Sequence, residues 1–430
     1  KGGIHPEENK FAHKSTLEDF PIPKQVVLYA SQHLGAPATV IVAKGDNVKV
    51  GQMIAKGESF VSANLHASCS GVVSKIETVS DFAGFKKQAI FIDVEDDIWE
   101  ESIDRSPDII SDIKMESTEI INKIKECGIV GLGGACFPTH VKLMIPDGKK
   151  AQYCIINAAE CEPYLTTDYV SMIKEPKLLL DGAKILQKAS GAKEVVIAFK
   201  NNKKELQKVL EEELVNYQDI RIFLVKDRYP MGWEKNLVKA VYKKSYDRLP
   251  SEVGVVVNNA QTAISVARAL LQGECIHNRV ITVSGNAIAN PCNVLVPVGT
   301  LASEILAKCG GVTCDNVSLL PGGPMTSKAA LNDEFAMYTS FGALTVVKEL
   351  KVESEACLRC GKCIAHCPAG LQPIQIKNAY DAKDIKELES FQTSKCVECG
   401  LCSYICPSRI ELTDAIKKAK LYLRLSQTNK

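Results

Sequence analysis

Eight cysteines late in the chain fall into two blocks of one pattern. Cys357, Cys360, Cys363 and Cys367 precede Pro368; Cys396, Cys399, Cys402 and Cys406 precede Pro407. Each block reads C-x2-C-x2-C-x3-C-P. In such tandem runs three closely spaced thiolates hold one [4Fe–4S] cube, and the fourth crosses to the other cube. The spacing therefore assigns Cys357, Cys360, Cys363 and Cys406 to one cluster, and Cys396, Cys399, Cys402 and Cys367 to a second. Each proline stops the turn and removes an N–H that would otherwise need a partner. Structural zinc is the competing use of these thiols. Zinc wants a tetrahedron, usually from two separated C-x2-4-C knuckles, which a tight run of three plus one suits less well. Such clusters carry single electrons, so the rest of the chain should hold their source or sink.

A second set of residues suits anion binding. The loop Gly131-Leu132-Gly133-Gly134-Ala135-Cys136-Phe137-Pro138-Thr139 has three glycines in four positions. Backbone N–H groups can close on an anion there with no Cβ in the way, and Lys142 can add a point charge. A helix precedes the loop, and Cys136 stands where a third glycine belongs, so this is not a Rossmann fingerprint. Taken alone, a Gly-rich turn between helix and sheet explains it as well. His140, beside the loop, can face a phosphate. Asn157, Glu160 and Glu162 follow one apolar strand, and Asn258-Asn259 follow another. Open α/β sheets bind ligands at the C-terminal ends of their strands. These side chains suit hydrogen bonds to ribityl hydroxyls, a flavin edge and a nicotinamide amide.

The elements that must position these groups follow from pattern. At 430 residues the chain is too long for one core. With 52 Lys and Arg against 51 Asp and Glu there is no charge field to suggest nucleic acid. Residues 1–30 read as an arm, polar and then extended around Pro21 and Pro23. Residues 31–100 alternate apolar and polar positions between Gly-containing turns, which predicts a small all-β unit. It resembles the hammerhead of biotinyl and lipoyl carriers, but the stretch at the hairpin tip, Ser59 to Asn64, has no lysine to modify. A structural or docking role is therefore expected of it. From 118 to 275 strands alternate with helices near 170–189, 203–215, 234–243 and 262–272, predicting an α/β domain on a largely parallel sheet. Residues 278–347 read as a β-grasp unit of the kind that binds soluble ligands or docks partners. Residues 350–410 hold the cysteine blocks, and 411–430 read as a basic helix, either solvated or docking. The fold class is thus multidomain α/β and α+β. Thiolate clusters require a reducing compartment. No apolar run reaches the ~18 residues needed to span a bilayer, and the first residues do not read as a secretory signal. Any membrane association is expected to come through partner subunits.

The motifs GLGGACFPTHVK, NAAECEP, YPMGWEK and VNNAQT occur in this order. Together they resemble the flavin- and NADH-binding subunit of respiratory complex I. With KGGIHP at the start, the hammerhead and β-grasp units and the two-cluster ferredoxin tail, nearly the whole chain resembles the C subunit of the Rnf complexes. Those are ion-pumping ferredoxin:NAD oxidoreductases of bacterial membranes. The resemblance implies that Gly131, Gly133, Gly134 and Ala135 cradle the phosphate or ring of non-covalent FMN, with Lys142 supplying charge. It implies that Asn157, Glu160, Tyr229, Gly232, Asn258 and Asn259 line the flavin. Phe137 would stack on NAD(H), and Glu162 and Glu234 would bond to it. Relative to the complex I pattern, Ala159 replaces an acid, Cys161 a serine, Cys136 a glycine and Trp233 a glutamate.

A nicotinamide exchanges two electrons as hydride, whereas each cluster passes one; FMN can do both, and hydride transfer itself requires no protein acid or base. The implied partners are the ferredoxin-like B subunit of those complexes and membrane subunits such as D and G, with ferredoxin reached indirectly. The implied location is peripheral, on the cytoplasmic face of the cell membrane. Two other readings remain open here: an NADH-dependent reductase for another acceptor such as a corrinoid enzyme, and an electron-wire subunit without hydride chemistry.

Overall fold

The computed structural model describes residues 2–107, 109, 111–145, 151–349 and 353–428. Its first strands are β1 (Leu17–Asp19), β2 (Gln25–Tyr29), β3 (Thr39–Val40), β4 (Asn47–Val48), β5 (Met53–Lys56), β6 (Leu65–His66), β7 (Gly71–Ser80) and β8 (Lys86–Val94). They form two small antiparallel sheets, β2-β8-β7-β4 and β3-β5-β6. Side chains alternate across a strand, and here both faces of β2 and β8 are apolar. Val26, Leu28, Ile90 and Ile92 fill the core between the two sheets. Val27, Tyr29, Ala89 and Phe91 point the other way, into the core of a later domain.

The next elements are α1 (Ser117–Glu126), α2 (Thr139–Leu143), β9 (Tyr153–Ala158), α3 (Thr167–Lys174), α4 (Pro176–Ser190), β10 (Glu194–Lys200), α5 (Lys204–Leu214), β11 (Ile220–Val225), α6 (Glu234–Tyr242), β12 (Val255–Asn259) and α7 (Ala260–Gln272). The sheet is wholly parallel, in the order β11-β10-β9-β12. Its strands are continuous apolar runs because helices cover both faces; Val195 through Phe199 are completely buried. The single helix expected over 170–189 is two. Pro176 has no N–H to continue α3, so it opens α4 at the first helical position, where that loss costs nothing.

A mixed five-stranded sheet follows, built on β13 (Asn278–Ser284), β14 (Cys292–Pro297), β15 (Val317–Pro321) and β16 (Ala343–Lys348), with α8 (Ala302–Lys308) packed on it. Its fifth strand is β1, which pairs in parallel with the edge of β14. The arm expected over residues 1–30 is paired along the sheets where the structure describes it. It supplies an edge strand here and β2 to the first domain; β1 is short and polar, whereas β2 is an apolar run that the sequence reading left inside the arm. The last domain contains α9 (Lys362–Ala365), α10 (Pro373–Asp381), α11 (Ile385–Ser390), α12 (Leu401–Tyr404) and α13 (Leu412–Thr428). The expected start of this unit at 350 and the end of the chain at 430 lie outside the described residues. The basic helix α13 is not a separate appendage: Ile416, Ala419 and Leu423 are buried with Leu371, Ile376 and Leu388 in the core of this domain.

The two helices that cover β9 and β12 cross at Gly182 of α4, where an added Cβ would lie 1.9 Å from the Ala263 carbonyl oxygen of α7. Gly182→Ala should force the helices apart and lower stability by about 1–3 kcal/mol. Urea denaturation reads this; an unchanged midpoint would mean that the crossing is looser than described.

Candidate functional site

The glycine loop, the ends of β9 and β12, and the loop before α6 meet at the C-terminal edge of the parallel sheet. Gly131 N–H donates to the Phe137 carbonyl (2.8 Å), closing the loop on itself, and Leu132 N–H donates to Thr262 Oγ1 (2.9 Å). Gly133 passes so close to Asn259 that a Cβ would sit 3.0 Å from its Cβ. Gly134 has φ +122°, and no atom lies within 4 Å of the place a Cβ would take. The backbone of Gly133, Gly134 and Ala135 is exposed, whereas Cys136 is buried behind it. This leaves a cradle of free N–H groups under open space, the form an anion site takes.

The other predicted residues divide between this cleft and its supports. Asn157 donates to the Gly232 carbonyl (2.7 Å), joining the end of β9 to the loop before α6. Asn259 caps α7, accepting from the N–H groups of Gln261 (2.9 Å) and Thr262 (3.3 Å). Asn258 is buried beside the Cys154 thiol. The Lys142 ammonium donates to the Val257 carbonyl (2.8 Å), and the nearby Glu234 carboxylate opposes the lowering of its pKa by burial. Glu234 also accepts from the Tyr246 hydroxyl (2.9 Å). Phe137 is half-buried at the end of the loop. His140 was expected to be able to face a phosphate. It is buried near the Phe60 backbone of the first domain, and burial pushes its pKa down to about 4.

Tyr229, expected to line the flavin, and Glu162, expected to bond to NAD(H), have polar atoms engaged by protein partners. The Tyr229 hydroxyl donates to the Cys399 carbonyl (2.5 Å). The Glu162 carboxylate accepts from Met325 N–H (3.0 Å) and Thr326 Oγ1 (2.6 Å). Both sit at seams between domains, which local sequence could not reveal.

Behind the cleft lies a buried polar network that sequence reasoning missed. Arg279 donates to Gln261 Oε1 (2.7 Å) and to the Leu132 carbonyl (3.2 Å). Gln261 and Asn259 donate in turn to the two oxygens of Asp168 (3.0 and 2.8 Å). Glu160 accepts from Asp168 N–H through Oε1 (2.7 Å), while its buried Oε2 has no hydrogen-bond partner. Lys10 is close enough to act on Glu160 electrostatically, and it donates to the Glu162 carbonyl (2.9 Å). Of its side-chain members the sequence reading named only Glu160 and Asn259; the signal for Arg279 was a lone charge in a β-strand run. The open glycine loop fits the phosphate of a guest such as FMN, and the orphaned Glu160 oxygen lies buried behind it.

The thiols form two groups. Cys367, Cys396, Cys399 and Cys402 line one cavity with Leu371, Leu401 and Ile416. Around the other group, Glu355 N–H donates to the Ser408 carbonyl (3.0 Å), and the Ser408 hydroxyl donates to the Ala356 carbonyl (2.8 Å). These bonds bring Cys357 beside the Cys406 segment. The two halves repeat one backbone form: Arg359 and Glu398 have φ +54° and +56°, and their N–H groups point at Cys357 Sγ and Cys396 Sγ (3.4 Å each). Cys357 and Cys360 are exposed, whereas burial pushes Cys399 up to about 12 and Cys402 to about 11. Thiolates at those positions would need a cation as compensation, and an iron–sulfur cluster would supply it.

Burial pushes Glu160 up to about 7; the charge of Lys10 pulls it down and that of Asp168 pushes it up. A folded pKa above the unfolded value means that the native state holds the extra proton. Stability therefore falls as pH rises between about 4.5 and 7. Glu160→Gln keeps an acceptor for Asp168 N–H and removes the titration. Its stability relative to the parent should rise with pH, gaining about 3 kcal/mol above pH 7. Urea midpoints at about pH 5 and 8 test this; an equal difference at both would exclude Glu160 as the titrating group.

Known families match in the same order along the chain. The RnfC barrel sandwich hybrid domain matches residues 1–97, the Nuo51 FMN-binding domain 124–268, the SLBB domain 280–329 and the 4Fe-4S dicluster domain 349–407. The fold also resembles a chain of an NAD+-reducing [NiFe]-hydrogenase, with a TM-score of 0.52 at 18% identity over 72% of this chain and 63% of that one. The C subunit of the proton-translocating ferredoxin:NAD(+) oxidoreductase complex of Clostridium ljungdahlii is 37% identical over 87% of this chain and 82% of its own. Its counterpart in the Na(+)-translocating complex of Acetobacterium woodii is 35% identical, over 87% and 86%. The C subunit of an ion-translocating oxidoreductase complex of Rhodobacter capsulatus is 36% identical, over 90% and 76%. The chain belongs to the family of Rnf complex C subunits, as an electron-transfer protein with an FMN-binding domain and a [4Fe–4S] dicluster domain.

Proposed function

We propose that the chain exchanges hydride between NAD(H) and FMN at the sheet-edge cleft and single electrons with two [4Fe–4S] clusters at the thiol groups. One observation carries this reading: the Tyr229–Gly232 loop borders both places. It gives the Gly232 carbonyl to Asn157 at the cleft and the Tyr229 hydroxyl to the Cys399 carbonyl at the inner thiol cavity.

Bound flavin would convert the two-electron exchange of a nicotinamide into one-electron steps. The chain's own groups would bind and orient. Gly133, Gly134 and Ala135 present free N–H groups to a phosphate or ring, and Gly131 shapes their loop. Asn157 and Asn259 hold the strand ends, and Lys142 with Glu234 sets the charge beneath. The inner thiols, Cys367, Cys396, Cys399 and Cys402, lie toward the cleft, and the exposed Cys357 and Cys360 mark the side from which a protein partner would be reached. That partner would be the ferredoxin-like B subunit, with membrane subunits such as D and G holding the assembly at the cytoplasmic face. Among the described residues no helix is long and apolar enough to cross a membrane, which suits a peripheral subunit.

Anaerobic titration of the reconstituted protein with NADH should bleach flavin near ~450 nm, with about eight irons and one FMN per chain. Iron without flavin bleaching would leave an electron wire and sink the hydride claim. Gly134→Leu should fill the open space over the loop and expel flavin while iron stays; retained flavin would count against the loop. Cys360→Ser should lose one cluster and leave flavin bleaching by NADH intact.

A further inference from the structure

Residues 2–10 form no helix and none of the described strands, yet they bond to both halves of the proposed electron path. Gly3 N–H donates to the His366 carbonyl beside Cys367 (2.8 Å). One residue on, Ile4 and Tyr229 exchange both backbone hydrogen bonds as an antiparallel bridge (3.0 and 2.8 Å). Arg228 closes over the turn, donating to the Gly3 carbonyl (3.0 Å). Ile4 then packs with Tyr229, Met325, Leu401, Cys161 and Cys399 in a small apolar cluster of its own.

Only glycine fits the first two positions. Gly2 and Gly3 have φ +77° and +80°. A Cβ on Gly2 would stand 2.5 Å from the Cys367 carbonyl oxygen, and one on Gly3 2.6 Å from that of Tyr229. The far end of the segment is anchored to the flavin-side domain. Glu8 pairs with Lys200, which also pairs with Asp227 (2.7 Å), and Tyr164 N–H donates to the Glu8 carbonyl (2.8 Å). Lys10 donates to the carbonyls of Glu162 and Leu165.

We propose that residues 2–10 are a positioning strap: bonded to His366 on one side and to Tyr229 on the other, they fix the gap between the inner thiol cavity and the sheet-edge cleft, and with it the rate of electron passage across. The proposal rests on the flavin and cluster sites inferred above. Each joined domain has its own apolar core, so loosening the strap should widen the gap and leave both domains folded.

The test uses the full chain reconstituted with flavin and iron, comparing the parent with Gly3→Val and with Arg228→Ala, which removes a strap bond without adding bulk. Both variants should keep parent flavin and iron contents and parent rates of flavin bleaching by NADH in stopped flow. Cluster reduction, followed by freeze-quench electron paramagnetic resonance, should lag by about tenfold or more in Gly3→Val and by less in Arg228→Ala. Hydrogen–deuterium exchange should rise at the Gly3, Ile4 and Tyr229 amides, in flavin-free protein as well. Unchanged exchange at this seam in both variants would show that the strap does not hold it. Raised exchange with cluster reduction still keeping pace would show that the strap does not set the gap. Either result overturns the proposal. Absent flavin bleaching in the parent would sink the hydride reading alone, because exchange in flavin-free protein still decides whether the strap holds the seam.

Discussion

The buried charge pair of Arg279 and Asp168 governs the geometry of the cleft. Burial lowers the pKa of Arg279 to about 10 and raises that of Asp168, and each opposes the shift of the other. Neither charge is tolerable alone in an apolar interior, where removing one partner typically costs about 3–5 kcal/mol. Here Gln261 spans the pair, Asn259 holds the second carboxylate oxygen, and the guanidinium reaches the Leu132 carbonyl of the glycine loop. The loop is thus held in place by a strand of a different domain. A cradle of bare N–H groups needs such outside support, since glycines hold no conformation by themselves.

Further supports come from the first domain. Its hairpin tip carries no modifiable lysine and serves as a prop: Asn64 donates to the carbonyls of Lys125 and Glu126, capping the end of α1 (3.2 and 3.1 Å). Ala63 packs against Val130 and, in the glycine loop, Leu132 and Cys136. The shared wall of β2 and β8 ties this prop to the five-stranded sheet that bears Arg279. A fold associated with carrying a mobile group is used here to hold a loop still.

Legibility in the sequence followed the range of the interaction. The cysteine blocks read directly because their ligand spacing is local, and the parallel strands because burial on both faces leaves an unbroken apolar run. The break at Pro176 was also open to reading, since proline at a helix start has a known form. Lys10, the reach of Arg279 to Leu132 and Asp168, and the pairing of β1 with β14 were not, because those partners lie a hundred residues or more away and leave no periodic trace. The roles inferred for Tyr229 and Glu162 met the same limit: each stands in a motif beside the cleft, but its polar atoms are taken up by another domain.

The strap also bears on the order of folding. Domains generally fold as units as synthesis proceeds, at roughly 5–20 residues per second, so Gly3 is made long before His366. Through that interval the segment has only its flavin-side anchors, and its final bond must wait for the last domain. Docking is therefore a late step, and it would be coupled to metallation if that domain needs its clusters to fold. A chain lacking iron should keep the flavin-side anchors of residues 4–10 and leave the Gly3 end of the strap unbonded and more open to proteases.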